Sequence, residues 1–81
     1  MKLRVLYFAS LKDRAGTSGE EVEMPPGTDV DGLWTILAQR HPRLAELAMR
    51  PATACDMSFA QGNRSLDGVT EVAFLPPMSG G

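Results

Sequence analysis

Residues 28–41 read TDVDGLWTILAQRH, and this stretch decides the fold because it carries the clearest helical pattern in the chain. Its apolar residues recur at the i, i+3, i+4, i+7 and i+8 spacing that forms one buried face of a helix. They are Val30, Leu33, Trp34, Leu37 and Ala38. Thr28 or Asp29 can cap the first turn, and Pro42 disfavours helical backbone at His41. The pattern predicts one helix that lies across a sheet.

The chain begins with a stretch that is typical of a β-strand. Residues 3–8 read LRVLYF, which is rich in β-forming residues. By alternation, Leu3, Val5 and Tyr7 share one face, whereas the opposite face changes from a charged residue to the apolar Phe8. We therefore predict a strand whose second face is solvated at its start and covered at its end.

A second strand is predicted shortly after the first. Residues 20–24 read EEVEM, with Val22 and Met24 predicted to point inward and the acidic side chains outward. Between the two strands, Ser10 is a candidate N-cap for a short helix, and Gly16 is placed to end it. Because only about ten residues separate the two strands, we expect them to pair antiparallel.

Two further strands are predicted after the long helix, at residues 56–60 (DMSFA) and 71–75 (EVAFL). In the last strand, Phe74 is predicted to face the core, and Leu75 is one residue out of phase with it. The order of two strands, a helix and two strands is typical of an α+β fold. The first and last strands can pair parallel because a helical crossover joins them. We therefore predict a ubiquitin-like β-grasp domain over residues 1–75, with a mixed sheet and one main helix.

Composition and charge restrict the location and the partners of the protein. Its 81 residues and 43% hydrophobic content fit a single domain with one core. The formal charge of −2 provides no basic stripe, so we expect no nucleic acid partner. The apolar stretches are too short to span a bilayer, and the N-terminus lacks the apolar core of a signal peptide. Together with a single cysteine, Cys55, these features lead us to expect a cytoplasmic protein without a membrane partner.

The side chains do not form a pattern that is typical of catalysis. Hydrolysis or group transfer needs a nucleophile with a base, paired carboxylates or a metal site. His41 stands at a helix end before a proline, which favours a structural role over that of a general base. Cys55 has no basic neighbour in sequence, so we expect a buried, unreactive thiol. No Cys/His spacing predicts zinc, and we expect no metal or cofactor bound by this chain.

The last six residues, 76–81, read PPMSGG and are predicted to form an extended tail. Pro76 and Pro77 favour a polyproline II path, so the tail can reach about 20 Å from the last strand. Gly80 and Gly81 have no Cβ atoms, which lets the terminal carboxylate enter a narrow channel. An ionised carboxylate is unreactive until another protein activates it, for example by adenylation with ATP. A sulfur nucleophile would then give a thiocarboxylate, and an amine would give an isopeptide bond.

The stretch EVAFLPPMSGG at residues 71–81 resembles the ending of the small subunits of molybdopterin synthase, the sulfur carriers of molybdenum cofactor biosynthesis. Residues 5–9, VLYFA, resemble the start of the same family. The resemblance implies a β-grasp fold, and it implies that an ATP-dependent enzyme adenylates Gly81 and converts it to a thiocarboxylate. It also implies that the tail enters the large subunit of the synthase. There the sulfur passes to cyclic pyranopterin monophosphate and builds the dithiolene of molybdopterin, in a complex of two small and two large subunits.

A partner-binding surface is predicted on the sheet face near the tail. Its predicted members are Phe8, Phe59, Leu75, Pro76, Pro77, Met78 and Ser79. Apolar side chains grouped beside a functional tip are typical of an interaction patch. The alternative interpretation is that Phe8 and Phe59 complete the core instead.

Three other functions stay open at the level of the sequence. A ubiquitin-like modifier that is joined to lysines would use the same activation chemistry at Gly81. A sulfur carrier for thiazole or cysteine synthesis would need the same slim tip, although Pro76 and Pro77 argue against it. The third is an interaction domain whose tail is incidental.

Overall fold

The computed structural model describes residues 1–47 and 50–76, which form one mixed sheet with a long helix packed across one face. Its elements in chain order are β1 (Lys2–Tyr7), α1 (Ser10–Ala15), β2 (Gly19–Glu23), α2 (Val30–Arg40), α3 (Pro42–Ala45), β3 (Ala52–Cys55), β4 (Ser58–Ala60) and β5 (Glu71–Leu75). Within these described residues, each helix falls short of the length and apolar character that crossing a membrane requires. The predicted tail, residues 76–81, lies outside the described residues except for Pro76.

The strands are ordered β2-β1-β5-β3-β4 across the sheet. The two strands β1 and β5 run parallel, with Val5 opposite Val72 and Tyr7 opposite Phe74. The pairs β1–β2, β3–β4 and β3–β5 are antiparallel. The parallel pairing of the first and last strands is therefore confirmed, since the helices between them provide the crossover. This arrangement is the predicted α+β, ubiquitin-like β-grasp fold.

Helix α2 forms where its capping residue and apolar spacing place it. The Asp29 carboxylate accepts a hydrogen bond from the N–H of Gly32 at 2.8 Å, which satisfies one of the free donors of the first turn. On its inward face, the fully buried residues are Val30, Leu33 and Leu37. His41 has φ −126° and ψ 90°, so the helix ends before Pro42 as predicted.

The core lies between α2 and the inward face of the sheet. Phe74 is fully buried there, which confirms its predicted orientation. Its ring stacks on Tyr7 with centroids 6.4 Å apart and meets Trp34 at 5.2 Å. Trp34 is only half-buried, because it stands at the margin of the buried stripe on α2. Burying a Phe side chain stabilises a fold by about 1.5–3 kcal/mol, so this aromatic contact is a major tie between helix and sheet.

The predicted strand over residues 56–60 is wrong in its first two residues. Asp56 and Met57 form the turn of a hairpin that joins β3 to β4, with φ of 46° and 72°. Two-residue hairpin loops favour such left-handed backbone. The Asp56 carboxylate accepts hydrogen bonds from the N–H groups of Thr70 and Glu71 at 2.9–3.2 Å, which holds the turn against β5. Alternation within this stretch does not reveal that Asp56 turns the chain. The sequence analysis therefore predicted one strand at residues 56–60 and missed β3.

The predicted cap at Ser10 is also wrong. Helix α1 begins at Ser10, and Ala9 occupies the cap position without a side-chain hydrogen bond. The N–H of Leu11 donates to the carbonyl oxygen of Phe8 at 3.1 Å, which closes a four-residue turn between β1 and α1. Ala9 has φ 53° and ψ −129°, a region that costs a residue other than glycine about 1–3 kcal/mol. The predicted helix end at Gly16 is confirmed, since Gly16 has φ 77°.

Candidate functional site

An apolar cavity of about 420 Å³ opens at the end of the sheet where the chain leaves the central strand β5. We call it the apolar groove. It is lined by Phe8, Ala9, Ala52, Phe59, Leu75 and Pro76. All six side chains are apolar, so the groove offers contact area for another apolar surface rather than groups for acid–base chemistry.

The sheet topology brings these residues together from four separate segments. Because β1 and β5 run parallel, their carboxyl ends meet at one edge, and the N–H of Phe8 donates to the carbonyl oxygen of Phe74 at 3.2 Å. Leu75 follows Phe74 on the other face of β5, and Ala52 of β3 stands opposite Leu75. Phe59 comes from the edge strand β4, which pairs with β3. The groove therefore lies at the point where β5 ends and the predicted tail begins.

The exposed rings of the groove distinguish the two sequence interpretations. Phe8 is 45% exposed and Phe59 is 79% exposed. The interpretation in which both phenylalanines complete the core is therefore wrong. Leu75 and Pro76, also predicted for the partner-binding surface, are half-buried in the same groove. The binding role of these four residues stays a prediction.

The remaining predicted site residues lie outside the described residues. They are Pro77, Met78, Ser79, Gly80 and Gly81. Their roles stay predictions that rest on the sequence. The structure shows the position of the first tail residue, because Pro76 lines the apolar groove.

Two lining residues, Ala9 and Ala52, were missed by the sequence analysis. Small side chains give no signal in a search for large exposed apolar residues. Ala52 could have been found only by predicting β3, which then places it opposite Leu75. Met57 illustrates the converse, since it is 94% exposed but stands outside the lining of the groove.

A polar cluster around Glu20 joins β1, β2 and the end of α2. The Tyr7 hydroxyl donates to Oε2 of Glu20 at 2.6 Å, and Nε2 of His41 lies 2.6 Å from the same oxygen. Nη1 of Arg40 donates to Oε1 at 3.0 Å. The predicted outward orientation of Glu20 is wrong, because a residue two positions from Val22 shares its inward face. His41 thus ends α2 and ties it to the sheet.

The contacts in this cluster shift two pKa values in opposite directions. Burial, followed by the hydrogen bond to Glu20, raises the pKa of Tyr7 above its ordinary range. Burial also acts to raise the pKa of Glu20, but hydrogen bonds from Tyr7, His41 and Arg40 outweigh it and hold that pKa below 4.5. The carboxylate is therefore ionised in the folded protein at neutral pH, where it accepts bonds on both oxygens.

Acidification is expected to remove the stabilisation that Glu20 provides. Because its folded-state pKa is lowered, this contribution is present above the ordinary value of 4.5 and is lost as the pH falls through the folded-state pKa. Melting curves between about pH 7 and about pH 3 should show Glu20→Gln far below the wild type at neutral pH, and the gap should close in acid. Glu23→Gln, at an exposed position of the same strand, is the control and should leave a small, constant gap. A constant gap for Glu20→Gln would contradict the expectation.

The described residues give little ground for metal or thiol chemistry. Residues 1–47 and 50–76 contain no group of three or more His, Cys, Asp or Glu that could hold a metal ion. Cys55 is buried, and burial raises the pKa of its thiol. A protonated, buried thiol is a poor nucleophile, which agrees with the unreactive state that the sequence predicted.

The sequence and the fold of this chain are both similar to those of known proteins. A profile of the ThiS family matches residues 5–81. The molybdopterin synthase sulfur carrier subunit of Mycobacterium tuberculosis is 38% identical over 82 residues, which cover 100% of this chain and 99% of the relative. The subunit of the same name from Homo sapiens is 30% identical, with 99% and 94% covered. The crystal structure of SAMP1 from Haloferax volcanii has a TM-score of 0.84 at 24% identity and covers 100% of both chains, which shows the shared fold.

Proposed function

We propose, on the premise that this chain belongs to the ThiS family and is a sulfur carrier subunit of molybdopterin synthase, that Gly81 carries the sulfur as a C-terminal thiocarboxylate. The observation that supports this best is the position of Pro76, the first residue of the tail. Leu75 and Pro76 leave β5 along the apolar groove, so a partner seated in the groove covers the point where the tail begins. The double glycine at Gly80 and Gly81 then supplies the slim tip.

The proposed chemistry takes place on the terminal carboxylate in two stages. An oxygen of the Gly81 carboxylate attacks the α-phosphorus of ATP, and pyrophosphate leaves. A sulfide-level sulfur nucleophile then attacks the carbonyl carbon and displaces AMP, which leaves the thiocarboxylate. In the synthase, the thiocarboxylate sulfur attacks a side-chain carbon of cyclic pyranopterin monophosphate, and the carbon–oxygen bond at that carbon breaks, so that its oxygen leaves as water or as the released phosphate ester. Water then hydrolyses the resulting thioester, which returns the Gly81 carboxylate and leaves the sulfur on the pterin. A second loaded chain supplies the second sulfur of the dithiolene. We assign the acid and base groups for these steps to the partner enzymes.

The apolar groove is the proposed docking surface for the large subunit of the synthase. Its exposed rings, Phe8 and Phe59, would lose contact with water on docking. Each Å² of apolar surface covered in this way stabilises the complex by roughly 25 cal/mol of free energy. A carrier must leave its activating enzyme before it enters the synthase, so each complex must also dissociate. One small apolar surface beside the tail serves both encounters without requiring very tight binding.

The proposal gives this chain no cofactor of its own. ATP is bound and consumed by the activating enzyme, and the reaction is proposed to take place in the cytoplasm. The working complex is proposed to be a heterotetramer of two small and two large subunits. Nucleic acid and membranes have no part in this scheme.

Loading of the tail tests the proposal. After incubation with the activating enzyme, ATP and a sulfur donor, we expect the intact mass to rise by the exchange of one oxygen for one sulfur. Fragmentation should place the change on Gly81. Omission of ATP is the control and should leave the mass unchanged. An unchanged mass in the complete reaction would contradict the proposal, and conjugates linked to lysines would instead support a protein modifier.

A further inference from the structure

Ala9 adopts a backbone conformation that alanine does not favour. Its φ of 53° and ψ of −129° place it at the second position of the turn from Phe8 to Leu11. Glycine is the residue that enters this region without steric conflict. The described residues contain three glycines with positive φ, at Gly16, Gly27 and Gly68. This chain therefore places glycine at three positive-φ positions, whereas residue 9, like Asp56 and Met57 of the hairpin turn, keeps a Cβ atom.

The strained backbone of Ala9 starts α1, but its exposed methyl group adds little to the domain that would offset the strain. Asp56 also has positive φ, but its carboxylate accepts hydrogen bonds from the N–H groups of Thr70 and Glu71. The carbonyl oxygen of Ala9 accepts a hydrogen bond from the N–H of Lys12 at 3.1 Å, as any residue at this position could, but its side chain has no polar atom and makes no capping hydrogen bond for α1. It is also exposed, so its methyl group adds little to the core. Backbone strain that no side-chain contact within the domain offsets is often found at binding sites.

The position of Ala9 shows where its methyl group can act. Ala9 lines the apolar groove together with Phe8, Phe59 and Pro76. Of the described non-glycine residues with positive φ, it alone belongs to this lining, since Asp56 and Met57, which form the turn between β3 and β4, are not part of it. A methyl group in an apolar groove contributes contact area only when another surface fills the groove.

We propose that Ala9 is a docking residue, whose methyl group contacts the large subunit of the synthase and is retained at the expense of the domain's own stability. This inference rests on the proposed function, because it takes the large subunit as the occupant of the groove. It assigns a binding role to a residue whose small size gives no such signal in the sequence.

The test is Ala9→Gly, with Met57→Gly as the matched control. Both substitutions relieve a positive-φ residue, but only Ala9 lines the groove. We expect both variants to melt about 2–6 °C above the wild type. In titrations with the purified large subunit, Ala9→Gly should bind about three- to tenfold more weakly, while Met57→Gly should bind like the wild type.

Each other outcome overturns the inference in a recognisable way. Wild-type affinity for Ala9→Gly would show that the methyl group makes no docking contact. A lower melting temperature for Ala9→Gly would show that alanine serves the domain's own stability. Equal weakening by Met57→Gly would show an effect unrelated to the groove. If the wild type itself fails to bind the large subunit, the docking role of the groove in the proposed function fails, and this inference fails with it.

Discussion

Deletion of Gly81 is expected to abolish sulfur loading and sulfur transfer while leaving the melting temperature unchanged. The reactive carbonyl belongs to this residue, and without it Ser79-Gly80 would present a carboxylate one residue short of the activating centre. Among the described residues, the last fully buried one is Phe74 of β5, seven positions before Gly81. Loading is measured by the intact mass after activation, and stability is measured by thermal melting.

A matched control separates the length of the tail from the identity of its tip. Deletion of Ser79 shortens the tail by the same one residue but keeps Gly80 and Gly81 at the end. We expect this variant to load sulfur, with slower transfer because the arm is shorter. Molybdopterin formation by the chain that lacks Gly81 would contradict the assignment of the reacting group.

Phe59→Asp is expected to weaken association with the large subunit by about ten- to a hundredfold, which is the range of an interface hot spot. The Phe59 ring is 79% exposed in the apolar groove, so it contributes little to folding but would be covered on docking. A charged carboxylate in its place would have to lose water on docking without gaining a partner. Titration calorimetry against the large subunit measures the loss, and thermal melting should show only a small change.

Met57→Asp provides the comparison for this result. Met57 lies on the same hairpin and is 94% exposed, yet it does not line the groove. The same new charge should therefore leave affinity close to that of the wild type. Equal losses for Met57→Asp and Phe59→Asp would point to charge repulsion rather than to the groove. A large drop in melting temperature for Phe59→Asp would place the ring in the fold instead.

The main architecture could be predicted because it follows from local patterns. The spacing of Val30, Leu33 and Leu37 defines α2, and alternation defines β1 and β5. Once one helix separates two pairs of strands, few arrangements bury all the apolar faces, and parallel pairing of β1 with β5 is one of them. The predicted surface residues Phe8 and Phe59 were found by the same alternation.

The errors occurred where distant contacts decide the local conformation. Asp56 turns the chain because its carboxylate binds N–H groups at the start of β5, fifteen positions away for Glu71. Glu20 points inward because Tyr7, Arg40 and His41 surround its two oxygens with donors. The contact of Asp56 has no local sequence signature, and neither do the donors around Glu20, although the inward face of Glu20 follows from its alternation with Val22. The backbone of Ala9 is a third case, because nothing in the residue type announces positive φ.

Single-turnover transfer tests the central claim most directly. The chain is loaded with isotopically labelled sulfur, purified, and mixed with the large subunit and cyclic pyranopterin monophosphate in the absence of ATP and activating enzyme. We predict that the label leaves Gly81, that the chain returns to its unmodified mass, and that both sulfurs of the molybdopterin formed carry the label. Label that stays on the chain while the large subunit and pterin are present would contradict the account.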